Sequence, residues 1–261
     1  MALTDNIISY WKFDESSGNA ADSVTTNDLT NNGTTPFAAA LINNGADFGT
    51  GNSTKYFSIA SNLGITGGAF SCSLWIKVRT EPATSTSYHL FIQQDTGTDT
   101  RYDIIYQNDD AGIKKLLIRR MTPGNGGSDV SLTYDTTLGT TVWRHLVWAY
   151  NGTTLKGYLD NTEIVTSAAS GNGTINIDSR FWIGAGGDTP TNFSSVYVDE
   201  VGTWSRVLTV DEISELYNSG NGLQYPFSTS SVKTWNGLAI ASRKTHNGLA
   251  SASVKTVNSL A

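Results

Sequence analysis

Residues 196–218, VYVDEVGTWSRVLTVDEISELYN, change their hydrophobic period midway, and that change constrains the fold most. In the first half, Val196, Val198, Val201 and Trp204 suit a strand buried on one side. In the second half, Val210, Ile213, Leu216 and Tyr217 fall on one helical face. Thr209, followed three residues later by Glu212, forms a capping box, and Asn218 with Gly220 closes the helix. A late strand therefore runs straight into one short surface helix.

The rest of the chain reads as strand and turn. Residues 7–13 alternate, with Ile8, Tyr10 and Lys12 on one side and Ile7, Ser9, Trp11 and Phe13 on the other. In residues 70–78 the apolar face holds Phe70, Cys72, Leu74 and Ile76, all of which a one-residue register slip would expose. The lone Cys72 has no partner for an internal disulfide and fits as a small buried group. Residues 88–94, 101–107, 115–121 and 130–134 are further strands. Residues 142–150 and 155–160 flank Asn151-Gly152, a strong hairpin signal. With 26 glycines and 38% hydrophobic residues, 261 residues suit one large all-β domain with many turns. Trp11, Trp75, Trp143, Trp148, Trp182 and Trp204 lie in strand patterns and are assigned to the core.

Four of these segments, in order, resemble the laminin-G-like, concanavalin-type jelly rolls of the pentraxin and lectin-like group. Phe13-Asp14-Glu15, Ser17-Gly18 and Asp22-Ser23 resemble that group's opening motif. The 142–160 hairpin resembles its central hairpin, with Arg144 and Asn161 as departures. Phe181-Trp182-Ile183-Gly184 resembles a later strand, and 198–201 with 208–217 the closing strand and helix. The resemblance implies a two-sheet antiparallel jelly-roll sandwich over residues 1–227, its first and last strands adjacent. It is specific for fold and weak for ligand, because this fold hosts many functions.

Residues 228–261 are a different object. SVKTWNGLAIAS, SRKTHNGLASAS and SVKTVNSLA repeat with a period of eleven, aligning Lys233, Lys244 and Lys255, and likewise Leu238, Leu249 and Leu260. Thr, Asn and Gly within each repeat disfavour helix, so short strands broken at Asn-Gly are expected. The tail carries +4, which leaves −10 on residues 1–227 out of the total of −6. Its few large apolar groups cannot repay the entropy of ordering it alone, so it is expected to need other copies or another protein. The repeats resemble those of phage structural proteins.

The composition and motifs exclude several classes. No basic face suggests nucleic acid, no run approaches a membrane span, and residues 1–14 show no signal peptide. No strand carries a Glu-x-Asp-x-x-Glu pair of the laminarinase kind. Asp199 and Glu200 are adjacent and so are expected to point to opposite faces. No catalytic residue is nominated. For metal, the expectation is a structural calcium held by Asp22, Asn27 and Asp199 with carbonyls of the 24–28 loop. In the alternative reading Asp22 makes a turn with its own backbone and Asp199 faces water. The polar loops 95–100, 107–112, 123–129 and 186–193 are where ligands are expected.

These readings converge on a non-enzymatic surface recognition or adhesion module. It would be a phage virion decoration or fibre protein at a virion or extracellular surface, contacting glycans or cell envelope. Its tail would join other virion or assembly proteins, in a homo-oligomer. The alternatives are a purely structural decoration without ligand, and a glycan hydrolase or its accessory module.

Overall fold

The computed structural model describes residues 1–50, 54–61, 63, 68–94, 101–121, 130–168, 180–186 and 189–227, with four short strands in 228–261. In chain order the first unit holds β1 (Ile7–Trp11), β2 (Thr30–Asn32), β3 (Phe37–Ala39), β4 (Asn44–Asp47) and β5 (Tyr56–Ile59). Then follow β6 (Phe70–Val78), β7 (Thr86–Gln94), β8 (Arg101–Asn108), β9 (Lys114–Met121) and β10 (Val130–Asp135). The series ends with β11 (Arg144–Tyr150), β12 (Thr154–Leu159), β13 (Thr162–Ala168), β14 (Arg180–Ile183), β15 (Val196–Trp204) and helix α1 (Val210–Tyr217).

The strands form two antiparallel sheets. One runs β13-β12-β11-β6-β15-β4-β3, with β1 also on β15, and the other runs β10-β9-β8-β7-β14-β5-β2. Phe70, Cys72, Leu74 and Ile76 of β6 all point into the shared core, each at most 1% exposed. The register between β6 and β11 follows from their two alternations, with Leu74 opposite Leu146 and Cys72 opposite Trp148. First and last strands are neighbours, Trp11 lying opposite Val201.

Helix α1 is specified locally. Thr209 accepts a hydrogen bond from Glu212 N at 3.3 Å, and Glu212 Oε2 accepts one from Thr209 N at 2.8 Å. Asn218 closes the helix in the left-handed region, at φ 45°. The helix covers the outer face of β6 and β11, where Trp75, His145 and Tyr217 stack with ring centroids 4.9–6.1 Å apart. Trp75 is therefore buried outside the sandwich core, under the helix. Trp182 packs on the outer face of the second sheet with Ile92 and Ala185. Trp143 corrects the core assignment. It sits one residue before β11 and is only half-buried.

Contact density divides the chain into Met1–Tyr225 and Pro226–Ala261. The second unit holds two antiparallel pairs, Thr234–Trp235 with Leu238–Ala239 and Thr245–His246 with Leu249–Ala250. Each pair flanks a sequence Asn-Gly. Among the described residues no helix is long and apolar enough to cross a membrane.

Candidate functional site

The first and last strands bring three carboxylates together. Phe13, at φ 59°, lies two residues beyond β1, and Asp14 follows it. Asp14 accepts hydrogen bonds from Asn44 N and Asn43 Nδ2, both at 3.3 Å, in the β3–β4 turn. Ile42 N, in the same turn, donates to Asp199 Oδ2 at 3.0 Å. Gly45 lets this hairpin lie against β15, since a Cβ there would stand 2.8 Å from the Val198 carbonyl and 2.7 Å from Ala40 Cβ.

Asp199 and Glu200 do not obey simple alternation. The pairing of β15 with β6 shifts register between Asp199 and Gly202, and Glu200 takes φ 49°. This bulge breaks the alternation that separates neighbouring side chains. The expectation of opposite faces is thereby corrected, because both carboxylates enter one cluster with Asp14.

A strap of chain after α1 closes the cluster. Gln224 Nε2 donates to Asp14 Oδ2 at 2.8 Å and to Glu200 Oε1 at 2.7 Å. Tyr10 Oη donates to the Leu223 carbonyl at 3.0 Å, and the Tyr10 and Tyr225 rings lie 5.9 Å apart. One amide thus bridges two carboxylates, while Asp199 Oδ1 and Glu200 Oε2 stay buried without a partner. Burial pushes the Asp199 carboxyl up to about 9, reinforced by the charges of Glu200 and Asp14. Burial also pushes Glu200 up to about 7, with Asp14 adding to it and hydrogen bonds from Tyr10 and Gln224 opposing it. The Tyr10 phenol is raised well above its usual range by burial and then by Glu200.

The residues nominated from sequence are divided between two places. Asp22 and Asn27 share one loop behind β1. Asp22 accepts from Tyr10 N and Val24 N at 3.0 Å, from Asn27 N at 3.3 Å and from the Thr25 hydroxyl. Asn27 Nδ2 donates to Ser9 Oγ at 2.9 Å, and the Asn27 carbonyl accepts from Trp11 Nε1 at 2.8 Å. Asp199 belongs instead to the cluster with Asp14 and Glu200, and it is buried. Asp14, Glu200 and Gln224 are the members that sequence reasoning missed. Asp14 and Glu200 stand inside the two motifs that announced the fold, so adjacency of the first and last strands was the signal. Gln224 had none. Of the polar loops, 95–100 and 123–129 lie outside the described residues, as do 187–188 of the last one.

The laminin-G resemblance implies a calcium ion. Among the described residues, no group of three or more His, Cys, Asp or Glu is placed as it stands to hold a metal ion. The donor chemistry of the cluster nevertheless fits a hard cation, which prefers carboxylate and amide oxygens. Two orphaned carboxylate oxygens beside a third carboxylate are what such an ion would neutralise. Asp14, Asp199 and Glu200 would hold it, drawn inward in competition with the Gln224 amide.

A second pair has the makings of nucleophilic chemistry and lacks access. Ser73 Oγ and His145 Nε2 are 2.8 Å apart. Both are buried under α1, and burial holds His145 down at about 3, so the ring is neutral.

Comparison with solved structures adds the fold's relatives. The binding domain of Paraclostridial Mosquitocidal Protein 1 aligns with a TM-score of 0.66 at 16% identity, covering 84% of this chain and 53% of that one. The binding domain of botulinum neurotoxin DC in complex with SialylT gives 0.64 at 12% identity, over 84% and 52%. This chain thus spans about half the length of those toxin domains. Domain 4 of AbnA, a GH43 extracellular arabinanase from Geobacillus stearothermophilus in complex with arabinotriose, gives 0.59 at 18% identity, over 80% and 97%. No curated protein sequence matches the chain. The family model described as the concanavalin A-like lectin/glucanases superfamily matches residues 49–214, and on that match the chain belongs to this superfamily.

Proposed function

We propose that the protein is a non-enzymatic recognition module that binds glycans on a sandwich stiffened by calcium at Asp14, Asp199 and Glu200. The observation that carries the non-enzymatic reading is the closure of that cluster. Hydrolysis by a carboxylate pair requires both groups to flank a glycosidic bond. Here Asp199 and Glu200 are 0% and 2% exposed, beneath a strap that bonds to Glu200 and Asp14. The glycan reading draws support from similar folds whose structures carry SialylT and arabinotriose. Attachment to a virion through residues 228–261 belongs to the same proposal and is read from the basic repeats.

A hydrolase is the second reading, favoured by the bulge that gathers Asp199 and Glu200 with Asp14. The purified full chain, screened on a glycan array and in a reducing-end assay on β-glucan and arabinan, separates the two. Retention of at least one glycan without release of reducing ends is expected. Steady release that disappears in Asp199→Asn would establish the hydrolase, and silence in both assays would overturn recognition.

A further inference from the structure

The outer face of the eight-stranded sheet is covered by α1 only in part. The helix caps the row in which Trp75 lies opposite His145. One step along the same strands, Lys77 lies opposite Tyr197, which in turn lies opposite Asp47. Arg144 lies opposite Ile76, so the next residue, Trp143, falls beside Lys77 and extends this row across the sheet. Trp143, Lys77 and Tyr197 are all half-buried, and Val142 beside them is exposed.

The row has an unusual composition for a solvated sheet face. The Trp143 and Tyr197 rings lie 6.3 Å apart at 53°. Lys77 Nζ sits 5.4 Å from the Trp143 ring centroid and 4.9 Å from that of Tyr197. Arg79 Cζ lies 5.0 Å from the Tyr197 ring centroid, and its charge is engaged by Asp47 at 2.6 Å. Lys77 differs. Among the described residues no carboxylate or carbonyl pairs with its ammonium. Ring faces attract a cation without accepting its N–H bonds in the usual geometry, so three donors remain available.

We propose that Trp143, Tyr197 and Lys77 form a binding site for a carboxylated sugar. The two rings offer apolar faces on which the C–H side of a pyranose packs, and Lys77 supplies a charge-assisted hydrogen bond to the carboxylate. A few aromatic walls with one or two placed polar groups are how small-ligand sites are usually built. The chain's own tail is a poor occupant, because residues 228–261 contain no acidic residue to meet Lys77. The site lies on a sheet face, away from the end loops where ligands were expected. It rests on the glycan-recognition reading and assigns that reading a place and a ligand class.

The test uses the full chain with 3′-sialyllactose and trigalacturonate as acidic probes and lactose as the neutral control, presented multivalently on a biosensor. Wild type should favour an acidic probe over lactose at least tenfold. Lys77→Gln should bring the acidic probe down to the lactose level, while Trp143→Ala should lower both at least tenfold. Thermal melts and sedimentation of each variant guard against misfolding, and Lys77→Gln alters no buried group. Variants that bind as wild type does, or a wild type indifferent to the carboxylate, would overturn the site. Dimers dispersed by Trp143→Ala, without sugar binding, would make the row a contact between copies and overturn it too. If wild type holds array glycans and both variants hold them equally, recognition stands and this site falls. If wild type holds none, both fall.

Discussion

Two buried carboxylate sites lie in and just after the last long strand, and the chain treats them in opposite ways. Just after β15, Glu212 meets Arg206 through two bonds of 2.7 and 2.8 Å and also accepts from Thr209 N. Arg206 further ties the N-terminus down, donating to the carbonyls of Asp5 and Ala2 at 2.7 and 2.9 Å. Burial pushes the Glu212 carboxyl upward, but the bonds from Arg206 and Thr209 prevail and hold it below the usual range. Within β15, Asp199 and Glu200 have no arginine in the contacts that hold them and are raised. The chain supplies its own cation where the role is to fasten helix to strand. Where no arginine bonds the carboxylates, burial and their mutual charge favour the protonated form, and the proposed calcium would take the arginine's place.

The largest expected effect comes from breaking the self-sufficient site. Arg206→Ala strands a buried Glu212 and frees Ala2 and Asp5, and it should cost about 3–5 kcal/mol in chemical denaturation. A loss below about 1 kcal/mol, in the range of exposed ion pairs, would erase the contrast.

The next effect sharpens the other side. Calcium at a hundredfold excess over its dissociation constant should stabilise the protein by about 2.7 kcal/mol, read as a rise in melting temperature reversed by chelator. Asp199→Asn should abolish that rise. Asp22→Ala should melt earlier by the same margin with and without chelator, because its bonds to Tyr10, Val24 and Asn27 belong to a turn. A calcium response lost in both Asp22→Ala and Asp199→Asn would restore the assignment made from sequence.

The smallest effect, per group and per pH unit, is a slope with pH. In chelator, native Asp199 and Glu200 keep protons up to about 9 and about 7, whereas in the unfolded chain such groups release them near about 4. The native state therefore binds more protons across that window, and stability falls as pH rises from about 4 toward 9, by at most about 1.4 kcal/mol per pH unit for each group. Glu212, being depressed, has the opposite sign, and its contribution is lost only as pH falls through the acid range. Urea midpoints at pH 5.5 and 8.5 should diverge in wild type and converge with calcium present. An equal divergence in Asp199→Asn/Glu200→Gln would remove these two groups as its source.

What sequence disclosed follows the reach of each signal. The capping box at Thr209 and Glu212, the β6 alternation and the Asn151-Gly152 hairpin are local, and each is found in place. The three-residue strands β2 and β3 escaped notice, since residues such as Thr30–Asn32 carry no periodicity, and the seven-residue β13 escaped it too. The Asp160-Asn161 turn into β13 depends on positive φ at both residues, 48° and 65°, where glycine would have advertised it. Trp143 was misplaced because alternation does not say where a covering helix stops. The acidic cluster needed three facts that are not local: a bulge, a neighbouring hairpin, and a strap more than 200 residues from Asp14. The backbone of Glu200 left the expected region, and that one departure relocated the site.

The strap has a mechanical consequence as well. Leu223 and Gln224 are fastened to Tyr10, Asp14 and Glu200, immediately before the first unit ends at Tyr225. Tension arriving from beyond Tyr225 would reach this rivet before it could unwind α1. The load would pass into β1 and β15, which lie side by side though nearly 200 residues separate them in sequence. Whatever pulls on the far end of the chain thus tugs on the seam where the sandwich was closed.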